Sequence, residues 1–468
     1  MRPLELSGDE LRELVIQVTE HLARYVDTLD TQPVKDLEGA DAVARELSRP
    51  LPEEGTPLAD ILDDLFERWI PKGFNPASPG YLAFIPGGGI LHAGVADLIA
   101  ATINRYVGVW TASPPLARLE ADVVRWFCDM VGYPAGAGGF LTTGGSLANL
   151  SAIVTARRAR LPEDFLTGVI YASEQSHHSI HKAATLAGFP RRNLRLVPAD
   201  RLCRIDPKAL ARAVEEDRAA GHAPFLLCAN AGTTNTGAID DLSVLADFAE
   251  REDLWLHVDA AYGGFFRLTE RGRERLRGLE RADSVVLDPH KTLFLPYGTG
   301  SLIVRDVETL RRAHSQRADY MPAMQEDPDQ VDFCEISPEL SRDFRGLRVW
   351  LPIAMHGIGP FRDNLDEKLD LIEWATAELH AMDGVEVVAE PQLTVVAFRF
   401  VQSGLGAEEL DALNERRLDE INAGGRVLLT PTQLDGRFVI RICVVSFRTH
   451  ADRVEECLAA IRAVAGAV

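Results

Sequence analysis

Lys291 and Asp259, separated by 32 residues, are the two side chains of this 468-residue sequence whose types and spacing point most directly to a chemistry. Lys291 ends the tetrapeptide Asp-Pro-His-Lys, and Asp259 lies in the hexapeptide His-Val-Asp-Ala-Ala-Tyr. A lysine amine can hold the aldehyde of pyridoxal 5′-phosphate as a Schiff base, and a carboxylate that faces the pyridine nitrogen keeps that nitrogen protonated. Considered one at a time, an exposed loop lysine and a helix cap are the simpler interpretations.

Both residues follow short apolar segments. Segments 254–259 and 283–288 have the composition of buried parallel strands. Asp259 and Lys291 then lie at or just beyond the carboxyl ends of two strands, where open α/β sheets bind ligands. Because two unrelated residues would rarely meet at that edge, we favour a cofactor site.

Glycines and a hydroxyl precede a helical pattern at residues 142–146, Thr-Thr-Gly-Gly-Ser, since an amphipathic segment follows at 147–160. The amino terminus of a helix offers N–H groups and a favourable dipole to a phosphate, and the dipole contributes about 0.3–2 kcal/mol. Gly145 and Ser146 are therefore candidate phosphate ligands. A plain turn with a helix cap is the alternative, and it is the commoner explanation of such a motif taken alone.

Two further polar segments follow predicted strands. The histidine-rich segment 176–181 follows strand 168–172, and Gly-Thr-Thr at 232–234 follows strand 225–230. An imidazole there could stack on a cofactor ring. A metal site is the alternative, but no cysteine or carboxylate stands beside the histidines at the spacing of a zinc finger, and we interpret His181 as a helix-surface residue. Most Gly-Thr-Thr segments are simple loops.

Composition excludes several classes of function. The formal charge of −21 and the absence of basic clusters argue against nucleic-acid binding. Six cysteines show no paired spacing, which favours reduced thiols in the cytosol over disulfides or zinc sites. The first residues lack the apolar core of a signal peptide, and no apolar stretch reaches about 18 residues. We expect a soluble cytoplasmic protein with no metal, membrane or nucleic-acid partner.

The chain divides into three predicted regions with an overall α/β fold. Residues 1–85 form a helical arm with little core of its own, which we expect to pack on another subunit. Residues 86–355 alternate strands and helices as in a mainly parallel sheet, and residues 356–468 form a smaller α+β domain. The predicted helices are 8–30, 57–69, 147–160, 207–218, 241–252, 361–382 and 451–465, and the predicted strands are 168–172, 225–230, 254–259, 283–288, 300–304, 385–389, 395–400, 426–430 and 438–443.

Together these motifs resemble those of the group II pyridoxal-phosphate-dependent decarboxylases, in the branch that contains aromatic L-amino-acid decarboxylase. The resemblance covers nearly the whole length and is clearest from Ser78 to Arg448. It implies the fold of the aspartate aminotransferase type, fold type I, and an intertwined homodimer with active sites at its interface. Its most specific stretches are 80–84, 112–114, 143–146, 232–234, 257–262, 289–291 and 440–441.

The resemblance also implies a role for individual residues. Lys291 resembles the family's Schiff-base lysine, and Asp259 the partner of the pyridine nitrogen. His177 matches the imidazole that stacks on one face of the ring, and Ala261 the residue on the other face. In the small domain, Arg441 matches an arginine near the active site. The remaining matched cofactor contacts are Gly145, Ser146, Thr234 and His290.

One position of the family's mobile loop, which spans residues 316–340, departs from the family pattern. Family members carry there a tyrosine that protonates the substrate carbon after carbon dioxide leaves, and this sequence has Phe333 at the aligned position. A phenyl ring cannot donate a proton. Tyr320 of the same loop aligns with a different family tyrosine. We therefore place Phe333 in the catalytic set, as the residue that decides the product.

The predicted substrate pocket is apolar but less aromatic than in the aromatic enzymes. Where those enzymes carry a tryptophan and two phenylalanines, the aligned residues are Pro76, Ile85 and Val109. Each lost stacking surface removes about 0.5–1.5 kcal/mol beyond burial, so aliphatic or differently oriented aromatic side chains become acceptable, whereas charged ones are poorly served. The predicted substrate contacts are Phe84, Ile85, Pro86, Val109 and Arg441.

The leading hypothesis is an L-amino-acid α-decarboxylase that uses pyridoxal 5′-phosphate and acts on an apolar, aromatic side chain. The alternative is an aldehyde synthase, because dioxygen can oxidise the decarboxylated intermediate when the loop acid is absent. An aminotransferase or aldolase on the same scaffold fits the context of His177 and Pro-His-Lys less well. A noncatalytic cofactor-binding protein is disfavoured by the intact lysine, aspartate and histidine set.

Overall fold

Two main sheets organise the chain, a large mixed one and a small antiparallel one. The computed structural model describes residues 4–316, 319, 321–325, 327 and 329–466, so Tyr320 lies outside the described residues. Within the described part of the chain, none of the helices combines the length and the apolar character that a bilayer-spanning segment requires.

The N-terminal region is helical, as predicted. The Ser7 hydroxyl accepts a hydrogen bond from the Glu10 N–H while the Glu10 carboxylate accepts one from the Ser7 N–H, a capping box that begins the first helix. No residue of that helix is buried, so its apolar stripe lies exposed on a single chain. The elements are α1 (Gly8–Thr28), β1 (Lys35–Asp36), α2 (Ala40–Glu46), α3 (Leu58–Asp63) with a π-helical continuation (Asp64–Trp69), and β2 (Gly73–Phe74).

The middle region alternates strands and helices. Its helices are α4 (Leu91–Ile103), α5 (Pro114–Val131), α6 (Gly145–Arg160), α7 (His178–Leu186), α8 (Pro207–Ala219), α9 (Leu242–Arg251), α10 (Glu270–Arg275), α11 (Pro289–Thr292), α12 (Glu308–His314), α13 (Phe333–Ile336) and α14 (Gly346–His356). Its strands are β3 (Gly138–Thr142), β4 (Gly168–Ser173), β5 (Leu194–Val197), β6 (Ala223–Asn230), β7 (Trp255–Asp259), β8 (Ser284–Leu287) and β9 (Gly300–Val304).

These seven strands form one sheet in the order β3-β9-β8-β7-β6-β4-β5. Neighbours from β8 to β5 are parallel, and β9 runs antiparallel to both β8 and β3. The carboxyl ends of β3, β4, β6, β7 and β8 therefore lie at one edge. The predicted α/β fold with a mainly parallel sheet is confirmed.

Helices cover both faces of the large sheet, and strand residues alternate between the two layers. Leu256 and Val258 of β7 belong to the main apolar cluster on one side, whereas Trp255 belongs to a cluster that also contains Ile153 of α6. Because side chains two residues apart on a strand share a face, Trp255, His257 and Asp259 all face the layer of α6. His257 is thus a fully buried polar residue in the interface between the sheet and α6.

The C-terminal region packs helices on a four-stranded antiparallel sheet of order β10-β11-β13-β12. Its helices are α15 (Gly359–His380), α16 (Ala407–Ala423) and α17 (Ala451–Ala465), and its strands are β10 (Val385–Ala389), β11 (Val395–Phe400), β12 (Thr430–Leu434) and β13 (Arg437–Cys443). We keep 1–85, 86–355 and 356–468 as proposed domain limits.

The predicted strand 426–430 is wrong, because the strand there runs from Thr430 to Leu434. A two-residue turn, Asp435-Gly436, with positive φ at both residues (51° and 73°), joins β12 to β13 and sets their register. Leu428 instead forms an isolated parallel bridge with Tyr81. The apolar segment before β12 therefore leads into the sheet rather than forming its strand.

Candidate active site

The carboxyl edge of the large sheet encloses a cavity of about 340 Å³, within the size range of cofactor sites. Strand ends and the loops after them supply its walls. Eight residues that the sequence predicts line it together: Gly145, Ser146, His177, Thr234, Asp259, Ala261, His290 and Lys291. Further lining residues that the sequence analysis did not select include Asn149, Ser179, Asn230, Thr233, Tyr262 and Asp288.

Lys291 enters the cavity from the short helix α11, directly after β8. Its Nζ lies 2.9 Å from Oδ2 of Asp288, and about 23% of its side chain is exposed. Burial lowers the pKa of Lys291, but the carboxylates of Asp288 and Asp259 outweigh that effect, so the pKa is raised overall. The amine is therefore held in its charged form by two carboxylates.

Asp259 ends β7 and is 8% exposed. Its Oδ2 accepts a hydrogen bond from Nδ2 of Asn149 at 2.9 Å, and its Oδ1 accepts one from the backbone N–H of Ala261 at 3.2 Å. A carboxylate can accept about four hydrogen bonds, so it keeps capacity for a donor in the cavity. This arrangement suits the nitrogen of a protonated pyridine ring.

The amino terminus of α6 forms the cradle predicted for a phosphate. Gly144 has a φ of 153°, a conformation that favours glycine, and a Cβ on Gly145 would lie 2.9 Å from Oδ2 of Asp288. The backbone N–H groups of Gly145 and Ser146 have no acceptor among the described residues. Two N–H donors and the dipole of a 16-residue helix thus meet the cavity.

His177 caps the amino terminus of α7. Its Nδ1 accepts a hydrogen bond from the backbone N–H of Ser179 at 3.3 Å and lies 2.8 Å from the Ser179 hydroxyl. Burial lowers the pKa of His177, and this outweighs the opposite effect of Asp259. The imidazole is therefore a rigidly held ring that favours the neutral form.

Asp288 and His290 flank the lysine. Nδ1 of His290 donates to the carbonyl of Thr299 at 2.5 Å, and Nε2 of His290 lies 3.6 Å from Oδ2 of Asp288. Asp288 is 2% exposed, and its Oδ1 has no hydrogen-bond partner among the described residues. Asp288 belongs to the same tetrapeptide as Lys291, so its position in the motif was a signal that the sequence analysis left unused.

Thr234 lies in the loop after β6, and Arg441 of β13 braces that loop. The Arg441 guanidinium donates to the carbonyl oxygens of Thr234 and Asn235, the latter at 2.8 Å from Nε. Its other donors reach the Phe84 carbonyl at 3.4 Å and the Thr430 hydroxyl at 3.2 Å. Arg441 braces this loop but does not line the cavity within one chain, and its predicted substrate contact stays a prediction.

The other predicted substrate contacts do not line the cavity either. Ile85, Pro86 and Val109 are buried, whereas Phe84 is 48% exposed with a φ of 54°. Pro76 lines a second cavity of about 670 Å³, which shares His290 with the first. Within one chain, the residues predicted to contact the cofactor therefore meet in one cavity, whereas the residues predicted to contact the substrate do not line it.

Phe333 is buried away from the cavity. It begins α13, is fully buried and belongs to an apolar cluster with Phe140 and Ala261. The Arg342 guanidinium lies 4.9 Å from the centre of its ring. The structure does not bring Phe333 to Lys291 within one chain, and its influence on the product stays a prediction.

The residues of the cavity fit pyridoxal 5′-phosphate. A partly buried lysine, a carboxylate with unused acceptor capacity and a glycine cradle at a helix amino terminus match the aldehyde, the ring nitrogen and the phosphate in turn. Among the described residues, no group of three or more histidine, cysteine or acidic side chains is placed to hold a metal ion.

Comparisons with known proteins extend this likeness to the whole chain. The family model for the pyridoxal-dependent decarboxylase conserved domain matches residues 42–401. The aromatic-L-amino-acid decarboxylase of Bacillus atrophaeus is 34% identical over 464 residues, covering 99% of this chain and 97% of its own. Oryza sativa TDC with PLP and tryptamine has a TM-score of 0.94 and 27% identity over 99% of both chains. Rhodiola rosea 4-hydroxyphenylacetaldehyde synthase has a TM-score of 0.91 and 25% identity over 100% of both.

We expect Gly145→Ala to weaken pyridoxal 5′-phosphate binding about 5- to 150-fold, because a methyl group 2.9 Å from Asp288 Oδ2 must displace the cradle at a cost of about 1–3 kcal/mol. Equilibrium dialysis of the cofactor against the purified variant measures this. Gly136→Ala is the matched control, since nothing lies within 4 Å of its Cβ position. Equal affinities of the two variants would contradict the cradle.

Proposed function

The chain belongs to the pyridoxal-dependent decarboxylase family, and on that premise we propose that it removes the α-carboxyl group of an L-amino acid with an apolar, aromatic side chain. The protein is a pyridoxal 5′-phosphate enzyme with the aspartate aminotransferase fold, fold type I, as predicted. The observation that carries the proposal is the cavity that collects Lys291, Asp259 and His177 at one sheet edge.

We propose that eight residues hold the cofactor. Nζ of Lys291 binds it covalently, Asp259 accepts the hydrogen bond of the ring nitrogen, and the N–H groups of Gly145 and Ser146 bind the phosphate. His177 and Ala261 flank the ring, and Thr234 and His290 complete the contacts, as the family resemblance implies. When bound, the protonated pyridine ring accepts the electrons of the bond that loses carbon dioxide.

The ion pair between Lys291 and Asp288 supplies a proton acceptor to the amine. A lysine amine must lose its proton before it can act as a nucleophile, and both carboxylates near it favour the charged form. Oδ2 of Asp288, at 2.9 Å from Nζ, is the nearest base and can take that proton. Asp288 is therefore proposed as a proton acceptor in the attachment of the cofactor.

An apolar side chain is the substrate class that the predicted substrate contacts favour. The predicted contacts Phe84, Ile85, Pro86 and Val109 are apolar, and the guanidinium of Arg441 is engaged by four protein acceptors. A second carboxylate on the substrate would find no arginine there to neutralise it. The similar proteins named for aromatic L-amino acids and for tryptamine support the same class.

A second candidate, an aldehyde synthase, is favoured by Phe333. Without a loop acid to protonate the substrate carbon, dioxygen can take the electron pair: the amino acid, O₂ and H₂O give the aldehyde, CO₂, NH₃ and H₂O₂. One structural neighbour is a 4-hydroxyphenylacetaldehyde synthase. Simple decarboxylation remains the leading proposal, with another group as proton donor.

We also propose a homodimer. Helix α4 exposes a row of apolar side chains that are 42–54% exposed, Leu91, Val95, Leu98, Ile99 and Ile103, and the stripe of α1 is likewise uncovered. Exposed contiguous apolar surface of this kind marks protein contacts. A partner that covers α4 and the arm could also complete the substrate half of the site. All six cysteines are free thiols, which supports the proposed cytoplasmic location.

Lys291→Ala should abolish covalent cofactor attachment, because Lys291 is the lysine that lines the cavity. Borohydride reduction followed by peptide mapping should find the phosphopyridoxyl mass on the Lys291 peptide of the wild type and on no peptide of the variant. Lys182→Ala, at an exposed lysine of α7, is the control and should keep the label. A label on another lysine of the wild type would contradict the assignment of Lys291 as the lysine that binds the cofactor.

Phe333→Tyr should shift the products from aldehyde towards amine, because a phenol can donate the missing proton and general acids typically contribute about 10²–10⁴-fold. Amine, aldehyde, carbon dioxide and peroxide are measured together, with and without oxygen, beside a thermal melt of each protein. If the wild type already yields amine stoichiometric with carbon dioxide under air, the oxidative proposal is wrong and the simple decarboxylase stands.

Val95→Asp with Ile99→Asp should give a monomer, because two charges would be buried in the proposed interface. Light scattering should then report a mass near 51.4 kDa, against roughly twice that mass for the wild type. Leu186→Asp is the control at an exposed leucine far from α4 along the chain. A double variant that stays dimeric would place the interface elsewhere.

A further inference from the structure

A chain of hydrogen bonds connects the buried Trp255 to Asp259 at the wall of the cavity. The indole N–H of Trp255 donates to the hydroxyl of Ser284 at 2.8 Å. Nδ1 of His257 lies 2.8 Å from the same hydroxyl, and Nε2 of His257 lies 2.8 Å from Oδ1 of Asn149. Strand pairing sets this contact, because His257 and Ser284 are register partners in β7 and β8.

The amide nitrogen of Asn149 donates two hydrogen bonds at the end of this chain. Nδ2 donates one hydrogen bond to Oδ2 of Asp259 at 2.9 Å and another to the hydroxyl of Ser179 at 2.9 Å. The Ser179 hydroxyl in turn lies 2.8 Å from Nδ1 of His177. One amide therefore contacts, directly or through one hydroxyl, both polar side chains proposed to face the cofactor ring.

The Trp255 indole at one end of the hydrogen-bond chain and the Asp259 carboxylate at the other set the direction of every hydrogen bond between them. An indole N–H can only donate, and an ionised carboxylate can only accept. Asn149 must then present its nitrogen to Asp259 and its oxygen to His257, so His257 carries its proton on Nε2. Nδ1 of His257 is left as an acceptor, and the Ser284 hydroxyl, which already accepts from Trp255, donates to it.

The same direction fixes the tautomer of His177. Since Nδ2 of Asn149 donates to the Ser179 hydroxyl, that hydroxyl donates its own hydrogen bond to Nδ1 of His177. The backbone N–H of Ser179 also donates to Nδ1, so this nitrogen cannot carry a proton of its own. A neutral His177 therefore holds its proton on Nε2.

Most members of the hydrogen-bond chain are buried. Trp255, Ser284, His257, Asn149 and Ser179 are each at most 4% exposed. Burial lowers the pKa of His257 to about 4, so the imidazole is neutral near pH 7 and carries one proton, on either Nδ1 or Nε2. In a low-dielectric interior aligned hydrogen bonds strengthen one another.

We propose that Ser284, His257 and Asn149 are positioning residues that keep Asp259 ionised and His177 protonated on Nε2. This rests on the proposed roles of Asp259 and His177. If the direction were reversed, the oxygen of Asn149 would face Oδ2 of Asp259, and two acceptors would repel each other. Asp259 would then be stabilised in its protonated form and would lose its hold on the pyridine proton.

Ser284→Ala tests the proposal at a residue that does not line the cavity. The variant removes the hydroxyl that donates to Nδ1 of His257, so the Nε2-protonated tautomer loses one of the two contacts that select it. Ser301→Ala is the matched control, because Ser301 lies on the neighbouring strand β9, is fully buried, and has a hydroxyl with no partner among the described residues. Ser284→Thr restores the hydroxyl and should restore the wild-type behaviour.

Two readouts separate positioning from mere support of the fold. The first is the ¹⁵N resonance of the pyridine nitrogen in protein loaded with ¹⁵N-labelled pyridoxal 5′-phosphate. The second is the tautomer of His177 and His257 in the cofactor-free protein, from ¹⁵N-histidine spectra. Ser284→Ala should shift the pyridine resonance towards the unprotonated position, mix the histidine tautomers and lower kcat about 10- to 100-fold, the effect that loss of an orienting partner has at metal-binding histidines.

The outcomes distinguish this proposal from the function on which it rests. Asp259→Asn should retain the cofactor and lose nearly all turnover, and near wild-type turnover in that variant would overturn the role of Asp259 itself. If Asp259→Asn loses turnover as expected while Ser284→Ala behaves like Ser301→Ala in all readouts, the role of Asp259 stands and only the positioning role of Ser284, His257 and Asn149 is wrong. A lowered melting temperature of Ser284→Ala with unchanged pyridine and histidine resonances also overturns it.

Discussion

A carboxylate buried next to an apolar interior has to be compensated by hydrogen bonds, and in this protein that requirement falls on Asp259. An isolated buried charge costs several kcal/mol, which is why such a group either finds donors or takes up a proton. The donors are the Asn149 amide of α6 and the backbone N–H of Ala261. Helix α6 must therefore lie over β7, and the same helix brings Gly145 and Ser146 to the cavity.

The small domain supports this site from the other side. Arg441 of β13 binds the carbonyl oxygens of Thr234 and Asn235, and so holds the loop after β6. The Tyr262 hydroxyl, three residues after Asp259, lies 2.7 Å from the Thr394 hydroxyl and accepts from the Thr394 N–H at 2.8 Å. The Tyr262 link is buried and the Arg441 link is partly buried, so the position of the small domain and the geometry of the cavity depend on each other.

Only part of the expected active site is completed by one chain. The cofactor-facing residues meet in a cavity, yet Phe84 stays half exposed and Phe333 is packed into the apolar cluster of its own chain. Exposed apolar side chains on α4 and α1 lie uncovered, as expected of a surface that binds another subunit. Phe333 is not among the residues that line the cavity within one chain.

The sequence by itself determined the cofactor and eight of the residues that line the cavity, because the carboxyl ends of parallel strands meet at one edge and apolar runs reveal those strands. It did not reveal β3, whose glycines at 138 and 139 hide a strand, or the true position of β12, which the turn at Asp435 sets. It also missed Asn149, an ordinary polar residue inside a helix pattern. Only the tertiary packing of α6 places the Asn149 amide between His257, Ser179 and Asp259, because contacts between residues 30 to 110 apart leave no periodic signal in the sequence.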